Sequence, residues 1–140
     1  MRILGVDYGD AHTGVSVSDP TGFLASQSFT IDLHNMQAVA ERVLETAREN
    51  DCTEIVVGHP VNMNGTIGER AQKCETFAHL LEESGEFGIV LWDERLTSVD
   101  ANRILSDAGK KRRKQKKLVD AVAASLILQN YLDFRRRNDT

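Results

Sequence analysis

Alternating hydrophobic and polar positions in the first part of the chain predict three short strands. Residues 2–8 (RILGVDY) and 13–18 (TGVSVS) form two such runs, joined through a tight hairpin signal at residues 9–12 (GDAH). Residues 19–22 (DPTG) have the composition of a turn, and residues 23–31 are predicted as a third strand. Because short turns connect antiparallel neighbours, the chain is expected to begin with three antiparallel strands.

The following residues alternate between helical and strand patterns. Apolar residues recur at helical spacing over residues 35–50, and residues 54–58 (EIVVG) are an apolar run typical of a buried parallel strand. A capping-box sequence at residues 66–69 (TIGE) predicts a helix that continues to about residue 84. Residues 87–92 are predicted as a further buried strand.

The last third of the chain is predicted to be helical apart from one loop. A second capping-box sequence opens a helix over residues 97–109, residues 110–117 are predicted as a loop, and residues 118–134 as the final helix. Antiparallel strands followed by strand–helix alternation predict an α/β fold with a mixed five-stranded sheet and helices on both faces. Since there is no internal repeat or linker, residues 1–140 are expected to form one domain.

Composition narrows the class of protein. The chain has 140 residues, of which 41% are hydrophobic and 27% charged, as in a folded single domain rather than a disordered chain. No run approaches the ~18 apolar residues of a membrane span, and Asp7 stands where a signal peptide would be apolar. Cys52 and Cys74 are too few for a disulfide scaffold, and no zinc spacing is present. We therefore expect a cytoplasmic protein without a membrane partner.

Charge is distributed unevenly along the chain. The net charge is −4, yet seven of the 17 basic residues lie within residues 110–117 and three more at residues 135–137. This distribution predicts a local anion-binding element on an otherwise acidic body, although a solvated charge run is the simpler alternative. The cations of the run are Lys110, Lys111, Arg112, Arg113, Lys114, Lys116 and Lys117.

Carboxylates stand where two predicted strands end. Asp7 ends the first strand and is expected at the carboxyl edge of the sheet, where open α/β sheets place their sites, unless it is only a turn residue. Asp93 and Glu94 follow the last strand. Because strand side chains alternate between faces, only one of the two can point into a shared site. The other is expected to pair with Arg95 or to cap the next helix.

Asp120 lies near the start of the final predicted helix, which is apolar on most sides. Ala124 and Ile127 follow four and seven residues later on the same face. A buried carboxylate without a partner is costly, so one in this position usually has a cation or a donor. The alternative is an acid favoured only by the helix dipole.

Three such acids are suited to a divalent metal site. Mg²⁺ or Mn²⁺ binds carboxylate oxygens, water and phosphate oxygens, and two ions ~4 Å apart promote phosphodiester hydrolysis. We therefore predict Asp7, one acid of the Asp93–Glu94 pair, and Asp120 as catalytic and metal-binding residues. The four histidines (His12, His34, His59 and His79) are interpreted mainly as surface or loop residues.

Two loops are candidates for contact with a phosphate backbone. Residues 58–66 (GHPVNMNGT) precede a predicted helix N-terminus, where free backbone N–H groups favour anions. Asn62 and Asn64 in this loop, together with Arg95, are predicted nucleic-acid contacts. The basic run immediately precedes Asp120 and is predicted to deliver the phosphate backbone to the metal site.

These residues together resemble the YqgF/RuvX family of pre-16S rRNA nucleases, which is related to Holliday junction resolvases. The resemblance extends from end to end of the chain, and its combined motifs are highly specific. They are RILGVDYG at residues 2–9, VG at 57–58 with Pro60 and NMNG at 62–65, DERLT at 93–97, and VD at 119–120. The resemblance implies a ribonuclease H-like fold and metal-dependent cleavage of nucleic acid, with Asp7, Glu94 and Asp120 as the catalytic acids. It also implies a role in maturing the 5′ end of precursor 16S rRNA.

The sequence departs from this family at two places. Residues 10–12 (DAH) replace a usual Thr-Lys-Arg-like segment, which removes basic side chains beside the site, and His59 stands where a Leu is usual. The first departure removes basic side chains that are expected to contact the substrate near the first hairpin.

Several functions are compatible with the sequence. The leading hypothesis is an endonuclease acting on structured RNA, with precursor ribosomal RNA or ribosomal particles as partners. A Holliday junction resolvase acting on branched DNA would need a symmetric dimer, and the chain is expected to be a monomer or a weak homodimer. A nucleotide-phosphate-binding module of the actin-like type and a non-catalytic RNA-binding factor are the weaker alternatives.

Overall fold

The computed structural model describes the backbone of residues 1–96 and 116–138, and the side chains of residues 1–96 and 121–138. The strands are β1 (Arg2–Asp7), β2 (Thr13–Ser18), β3 (Ala25–Ile31), β4 (Cys52–His59) and β5 (Gly88–Asp93). The helices are α1 (Met36–Glu49), α2 (Glu69–Glu82) and α3 (Lys116–Asn138), with a short 3₁₀ turn at Glu94–Leu96. None of the described helices is long and apolar enough to cross a membrane.

The five strands form one mixed sheet in the order β3-β2-β1-β4-β5. β1, β2 and β3 pair antiparallel, whereas β1, β4 and β5 are parallel. Val6 lies opposite Val57, which in turn lies opposite Leu91, so the three parallel strands end at the same edge of the sheet. The predicted α/β architecture is therefore confirmed.

Side-chain alternation divides the core between the two faces of the sheet. On one face, Leu4 and Val6 of β1 pack with buried residues of α1 and α2, among them Val43 and Phe77. On the other face, Ile3 packs in a cluster with Leu128 and other residues of α3. Because Ile3 faces α3, alternation along β1 directs Gly5 and Asp7 to the α3 face as well.

Helix α3 crosses its face of the sheet in close contact with β1. An ideal Cβ at Gly5 would lie 2.8 Å from the Cβ of Leu128 and 3.2 Å from the carbonyl oxygen of Ala124. Farther along α3, the Tyr131 hydroxyl donates to Glu54 near the start of β4. Helix α3 thus runs opposite to the parallel strands, with its N-terminal turn toward their carboxyl ends.

Several element starts differ from those expected from sequence; β4, for example, begins at Cys52 rather than residue 54. β3 begins at Ala25 rather than residue 23, because Asp19 Oδ1 accepts from the backbone N–H groups of Phe23 (2.9 Å) and Leu24 (3.0 Å) and holds them in a turn. The predicted capping box at residues 66–69 is wrong. Helix α2 begins at Glu69 after Gly68, without a side-chain cap, since the Thr66 hydroxyl bonds within its own loop instead.

The final helix is longer than predicted at both ends. Because α3 begins at Lys116, the last two cations of the basic run, Lys116 and Lys117, are helical rather than part of a loop. At its other end, an ion pair between Asp133 and Arg136 at i,i+3 spacing supports continuation beyond residue 134. The predicted helix over residues 97–109 and the rest of the predicted loop, residues 110–115, lie outside the described residues.

Candidate active site

Asp7 is the last residue of β1 and lies at the carboxyl edge of the sheet, as predicted. Its side chain is only 9% exposed, although carboxylates are seldom buried. Arg70 Nη2, from the first turn of α2, donates to Asp7 Oδ1 at 3.1 Å. An almost buried acid is thus held at the strand end beside a cationic side chain.

Glu94 follows β5 and opens the 3₁₀ turn at the same edge. Its Oε2 atom is buried and has no hydrogen-bond partner among the described residues. Burial raises the pKa of Glu94, and the positive charges of Arg70 and His59 act in the opposite direction. A buried carboxylate oxygen without a donor is rare in folded proteins, and a bound cation is one way to stabilise it in its charged form.

Gly58 on β4 makes room for the Glu94 carboxylate. Its neighbour across the sheet is Trp92 on β5, and it directly follows Val57, the partner of Val6. An ideal Cβ at Gly58 would lie 3.1 Å from Glu94 Oε2 and 2.6 Å from Ile127 Cδ1. The Glu94 carboxylate therefore lies over β4, the strand between β5 and β1, on the same face of the sheet as Asp7. Any larger residue at this position would displace it.

Arg70 is the site residue that sequence reasoning missed. It contacts Asp7 directly, and its positive charge also acts to lower the pKa values of Glu94 and of the neighbouring Cys74. The only sequence signal was its position in the first turn of a helix that follows the loop at the end of a buried strand. Arg70 therefore links the two acids electrostatically.

The structure separates the roles of Asp93 and Glu94. The Arg95 guanidinium donates to Asp93 through Nε and Nη2, with the Nη2–Oδ2 distance at 2.7 Å, and the Arg95 backbone N–H donates to Asp93 Oδ1 at 2.9 Å. These bonds lower the pKa of Asp93. Asp93 thus pairs with Arg95, one of the two alternatives expected, and Glu94 is the acid that faces the site.

The side chain of Asp120 lies outside the described part of the chain, but its backbone belongs to α3. Ala124, one helical turn later, contacts Gly5. Four residues of helix and two residues of strand both span about 6 Å, so the backbone of Asp120 lies near the level of Asp7 at the carboxyl edge. Its role as a third ligand stays a prediction.

Asp7 and Glu94 provide hard oxygen ligands suited to Mg²⁺ or Mn²⁺. Among the described side chains, no group of three His, Cys, Asp or Glu residues is close enough to hold a metal ion. The chemistry of Glu94 nevertheless suits a cation, because its buried Oε2 atom has no hydrogen-bond partner among the described residues. Asp120 is the candidate for the remaining protein ligand.

The loop after β4 is folded onto itself rather than open for an anion. Asn62 Nδ2 donates to the Thr66 hydroxyl at 2.8 Å, and that hydroxyl donates to Asn64 Oδ1 at 2.7 Å. Arg95 approaches the loop from the site, since an ideal Cβ at Gly65 would lie 3.8 Å from its Nη1. Asn62 and Asn64 are exposed, and their contact with nucleic acid stays a prediction.

Two further residues near the site were interpreted too simply or not at all. His59 is the last residue of β4 rather than a loop or surface residue. Its side chain is 17% exposed and its Nε2 lies 3.1 Å from Glu75 Oε2. Cys74 of α2 is buried, and burial raises the pKa of its thiol to about 12, with Arg70 acting against the shift and Asp7 and Glu94 adding to it.

A cleft of about 320 Å³ opens beside Asp7 between the first hairpin and α2. Its lining residues are Tyr8, Gly9, Asp10, Glu69, Arg70 and Lys73. Lys73 Nζ lies 3.0 Å from Asp10 and 3.6 Å from Glu69. The cations of this cleft therefore come from α2, opposite a hairpin that carries an acid.

The mixed sheet and its helices form a fold of the ribonuclease H-like class. The structure is similar to that of T. thermophilus RuvC in complex with a Holliday junction substrate (TM-score 0.62, 14% identity, covering 96% of both chains). It is also similar to the fowlpox virus Holliday junction resolvase (TM-score 0.59, 15% identity, covering 96% of this chain and 99% of that one).

Residues 1–134 match the RuvX family, described as Holliday junction resolvase, and the chain belongs to this family. A protein of Ruminiclostridium cellulolyticum named "Putative pre-16S rRNA nuclease" is 45% identical, over 95% of this chain and 94% of its own length. A protein of Lachnospira eligens with the same name is 41% identical over 98% of this chain and its full length.

Proposed function

We propose that the chain is a metal-dependent endonuclease that hydrolyses phosphodiester bonds of structured RNA. Its proposed role is the maturation of the 5′ end of precursor 16S rRNA in the cytoplasm, in contact with ribosomal particles. The observation that carries this proposal is the buried Glu94 oxygen over Gly58, which has no hydrogen-bond partner in the described part of the chain and lies at the same sheet edge as Asp7. Membership of the RuvX family and the names of its relatives supply the substrate class.

The proposed chemistry assigns distinct tasks to the residues of the edge. Asp7, Glu94 and Asp120 would hold Mg²⁺ or Mn²⁺ through carboxylate oxygens. Such ions, when bound, lower the pKa of water and stabilise the departing oxygen of a phosphodiester. The Asp7 side chain is nearly buried and one carboxylate oxygen of Glu94 is buried, which limits the access of bulk water to these oxygens and strengthens their interaction with a cation.

The nucleic acid is proposed to bind through cations around this edge. Arg95 and the exposed asparagines Asn62 and Asn64 lie on the side of β4 and β5, and the basic run of residues 110–117 leads into α3. These residues would position the phosphate backbone over the acids, since Lys and Arg contacts provide most of the affinity for nucleic acid.

Cleavage of branched DNA is the second candidate function. It is favoured by the family description and by the fold shared with RuvC bound to a Holliday junction. A junction resolvase would need two copies of the site in a symmetric dimer, so the two functions differ in oligomeric state as well as in substrate.

One experiment tests the proposal and separates the two candidates. The purified chain and its Asp7→Asn variant would be incubated with precursor 16S RNA and with a four-way DNA junction, each with and without Mn²⁺. We expect Mn²⁺-dependent cleavage of the RNA by the wild-type chain only. Cleavage restricted to the junction, by a chain that sediments as a dimer, would favour the second candidate. Equal RNA cleavage by Asp7→Asn would contradict the proposed site.

A further inference from the structure

Arg70 contacts the site through only part of its hydrogen-bonding capacity. One terminal nitrogen donates to Asp7, while the Arg70 side chain is 63% exposed and faces the cleft beside the first hairpin. A guanidinium carries five N–H donors, and among the described residues only one Arg70 nitrogen donates, so further donors there can bind a second anion. Asp7 is thus the buried member of this ion pair, and the exposed Arg70 guanidinium is the member that can move.

The neighbouring cation cannot take the same role. Lys73 lies one helical turn farther along α2 and lines the same cleft, but its ammonium group is bound to Asp10 and approached by Glu69. Two acids therefore compensate the charge of Lys73. Of these two cleft cations, Arg70 is the one whose charge acts on both Asp7 and Glu94.

A divalent ion and Arg70 compete for the same negative charge. Arg70 partly neutralises Asp7 while no ion is bound. An ion held by Asp7 and Glu94 would repel the guanidinium, because like charges a few ångströms apart repel even where one of them is largely exposed to water. A phosphate of the nucleic-acid backbone next to the ions is an anion that a guanidinium binds in a bidentate manner.

We propose that Arg70 alternates between two anions: Asp7 in the metal-free protein, and a backbone phosphate of the nucleic acid once the divalent ion is bound. Arg70 is thereby a substrate-positioning residue, which Asp7 releases when the acids bind the divalent ion. It supplies, from α2, the basic contact that the first hairpin lacks at residues 10–12. The part of this inference in which Arg70 binds a phosphate of the nucleic acid rests on the proposed nuclease function.

The first measurement is Mn²⁺ binding without nucleic acid, followed by the electron paramagnetic resonance signal of the free ion. We expect Arg70→Gln to bind Mn²⁺ about tenfold more tightly than the wild type, because a competing charge has been removed. Lys73→Gln removes the same charge one turn away and is the matched control, expected to stay within about twofold. Unchanged or weaker Mn²⁺ binding by Arg70→Gln, or an equal gain in Lys73→Gln, would overturn the proposal.

The second measurement is binding of a fluorescein-labelled hairpin RNA in Ca²⁺, over a series of salt concentrations. In Arg70→Gln we expect weaker binding and a slope of log K against log salt that is shallower by about 0.7 to 0.9, the change that removal of one phosphate interaction produces. Arg70→Lys should keep the slope with reduced affinity, since it retains the charge without the planar fork. An unchanged slope in Arg70→Gln would overturn the proposal that Arg70 binds a backbone phosphate.

These measurements remain informative if the proposed nuclease function fails. Neither Mn²⁺ binding nor RNA binding in Ca²⁺ requires cleavage. If no variant cleaves RNA but both measurements give the expected results, the proposed function is wrong and the role of Arg70 stands. If the wild type cleaves RNA and Arg70→Gln changes neither measurement, the proposed function stands and the proposed role of Arg70 is wrong.

Discussion

The two ends of the parallel strands use their polar groups in opposite ways. At the amino end, the Tyr131 hydroxyl donates to Glu54, and Gln129 accepts from the Ala25 backbone at 2.9 Å while donating to the Phe23 carbonyl at 3.0 Å. These bonds fasten α3 to the sheet. At the carboxyl end, Glu94 keeps a buried oxygen without a partner among the described residues. One end of the sheet therefore uses its polar groups to hold α3 in place, and the other keeps a carboxylate oxygen that has no partner among the described residues.

The largest expected effect comes from neutralising the acids at the carboxyl end. We expect Glu94→Gln to lower the rate of metal-dependent cleavage on the order of 10³-fold or more. Its thermal unfolding midpoint should not fall below that of the wild type, because the variant removes a carboxylate whose pKa burial raises. Asp7→Asn and Asp120→Asn should have similar effects on cleavage, and combining them should add little.

Asp93→Asn is the control for this comparison, because it alters the adjacent acid that is paired with Arg95. We expect it to retain most of the cleavage activity. Loss of activity in Asp93→Asn together with normal activity in Glu94→Gln, both assayed on the same RNA, would reverse the assignment of the two acids.

Replacing four cations of residues 110–117 by Gln tests whether binding is concentrated near the carboxyl end. We expect weaker binding to all RNA sequences, and a slope of log K against log salt that is shallower by about 0.7 to 0.9 for each phosphate interaction removed. The free energy of unfolding should change by no more than about 0.5 kcal/mol. Arg42→Gln on α1, an exposed cation paired with Glu45, provides the control, and unchanged binding by the fourfold variant would leave the run as a solvated segment.

A pair of glycine substitutions separates the site from the scaffold. In Gly58→Ala the new methyl group meets the end of the Ile127 side chain and the Glu94 carboxylate, whereas in Gly5→Ala it meets the Leu128 Cβ and the Ala124 backbone. We expect Gly5→Ala to lose about 1–3 kcal/mol of stability, since a helix backbone cannot easily move. Gly58→Ala should lose less stability but more Mn²⁺ affinity. Equal losses of both properties in both variants, measured by urea unfolding and Mn²⁺ titration, would refute this division.

The smallest effect on activity is expected at the amino end. Gln129→Ala removes the acceptor of the Ala25 N–H and the donor to Phe23, so stability should fall by about 1–3 kcal/mol. Cleavage and Mn²⁺ binding should remain at wild-type levels at temperatures where the variant is folded. Urea unfolding monitored by circular dichroism measures the first quantity, and a loss of Mn²⁺ affinity in the folded variant would show that the two ends are coupled.

Local patterns predicted those parts of the fold that depend on local interactions. The expected start of α1 is confirmed, since Asn35 Oδ1 accepts from the Ala38 N–H at 3.0 Å. The capping box expected at Thr66 is wrong because its hydroxyl has closer partners in Asn62 and Asn64. A sequence motif alone does not show whether a hydroxyl caps the following helix or bonds to other residues of its own loop.

The site was predictable where it depends on strand ends and not where it depends on contacts between distant segments. Asp7 follows from its position at the end of a buried strand. The choice between Asp93 and Glu94 required the Arg95 contacts, which depend on how the chain turns after β5. Arg70 contacts Asp7 across 63 positions of sequence, and the absence of a side chain at Gly58 matters because Ile127 and Glu94 both lie over it.

The thiol of Cys74 differs from the carboxylates in what a metal ion must displace. Burial raises the pKa of Cys74 to about 12, and the charges of Asp7 and Glu94 add to the shift, so the sulfur is protonated at neutral pH in the metal-free protein. An ion such as Zn²⁺ that bound this sulfur would have to release its proton, and its affinity would therefore rise with pH. Carboxylate oxygens are the ligands that hard ions such as Mg²⁺ and Mn²⁺ prefer.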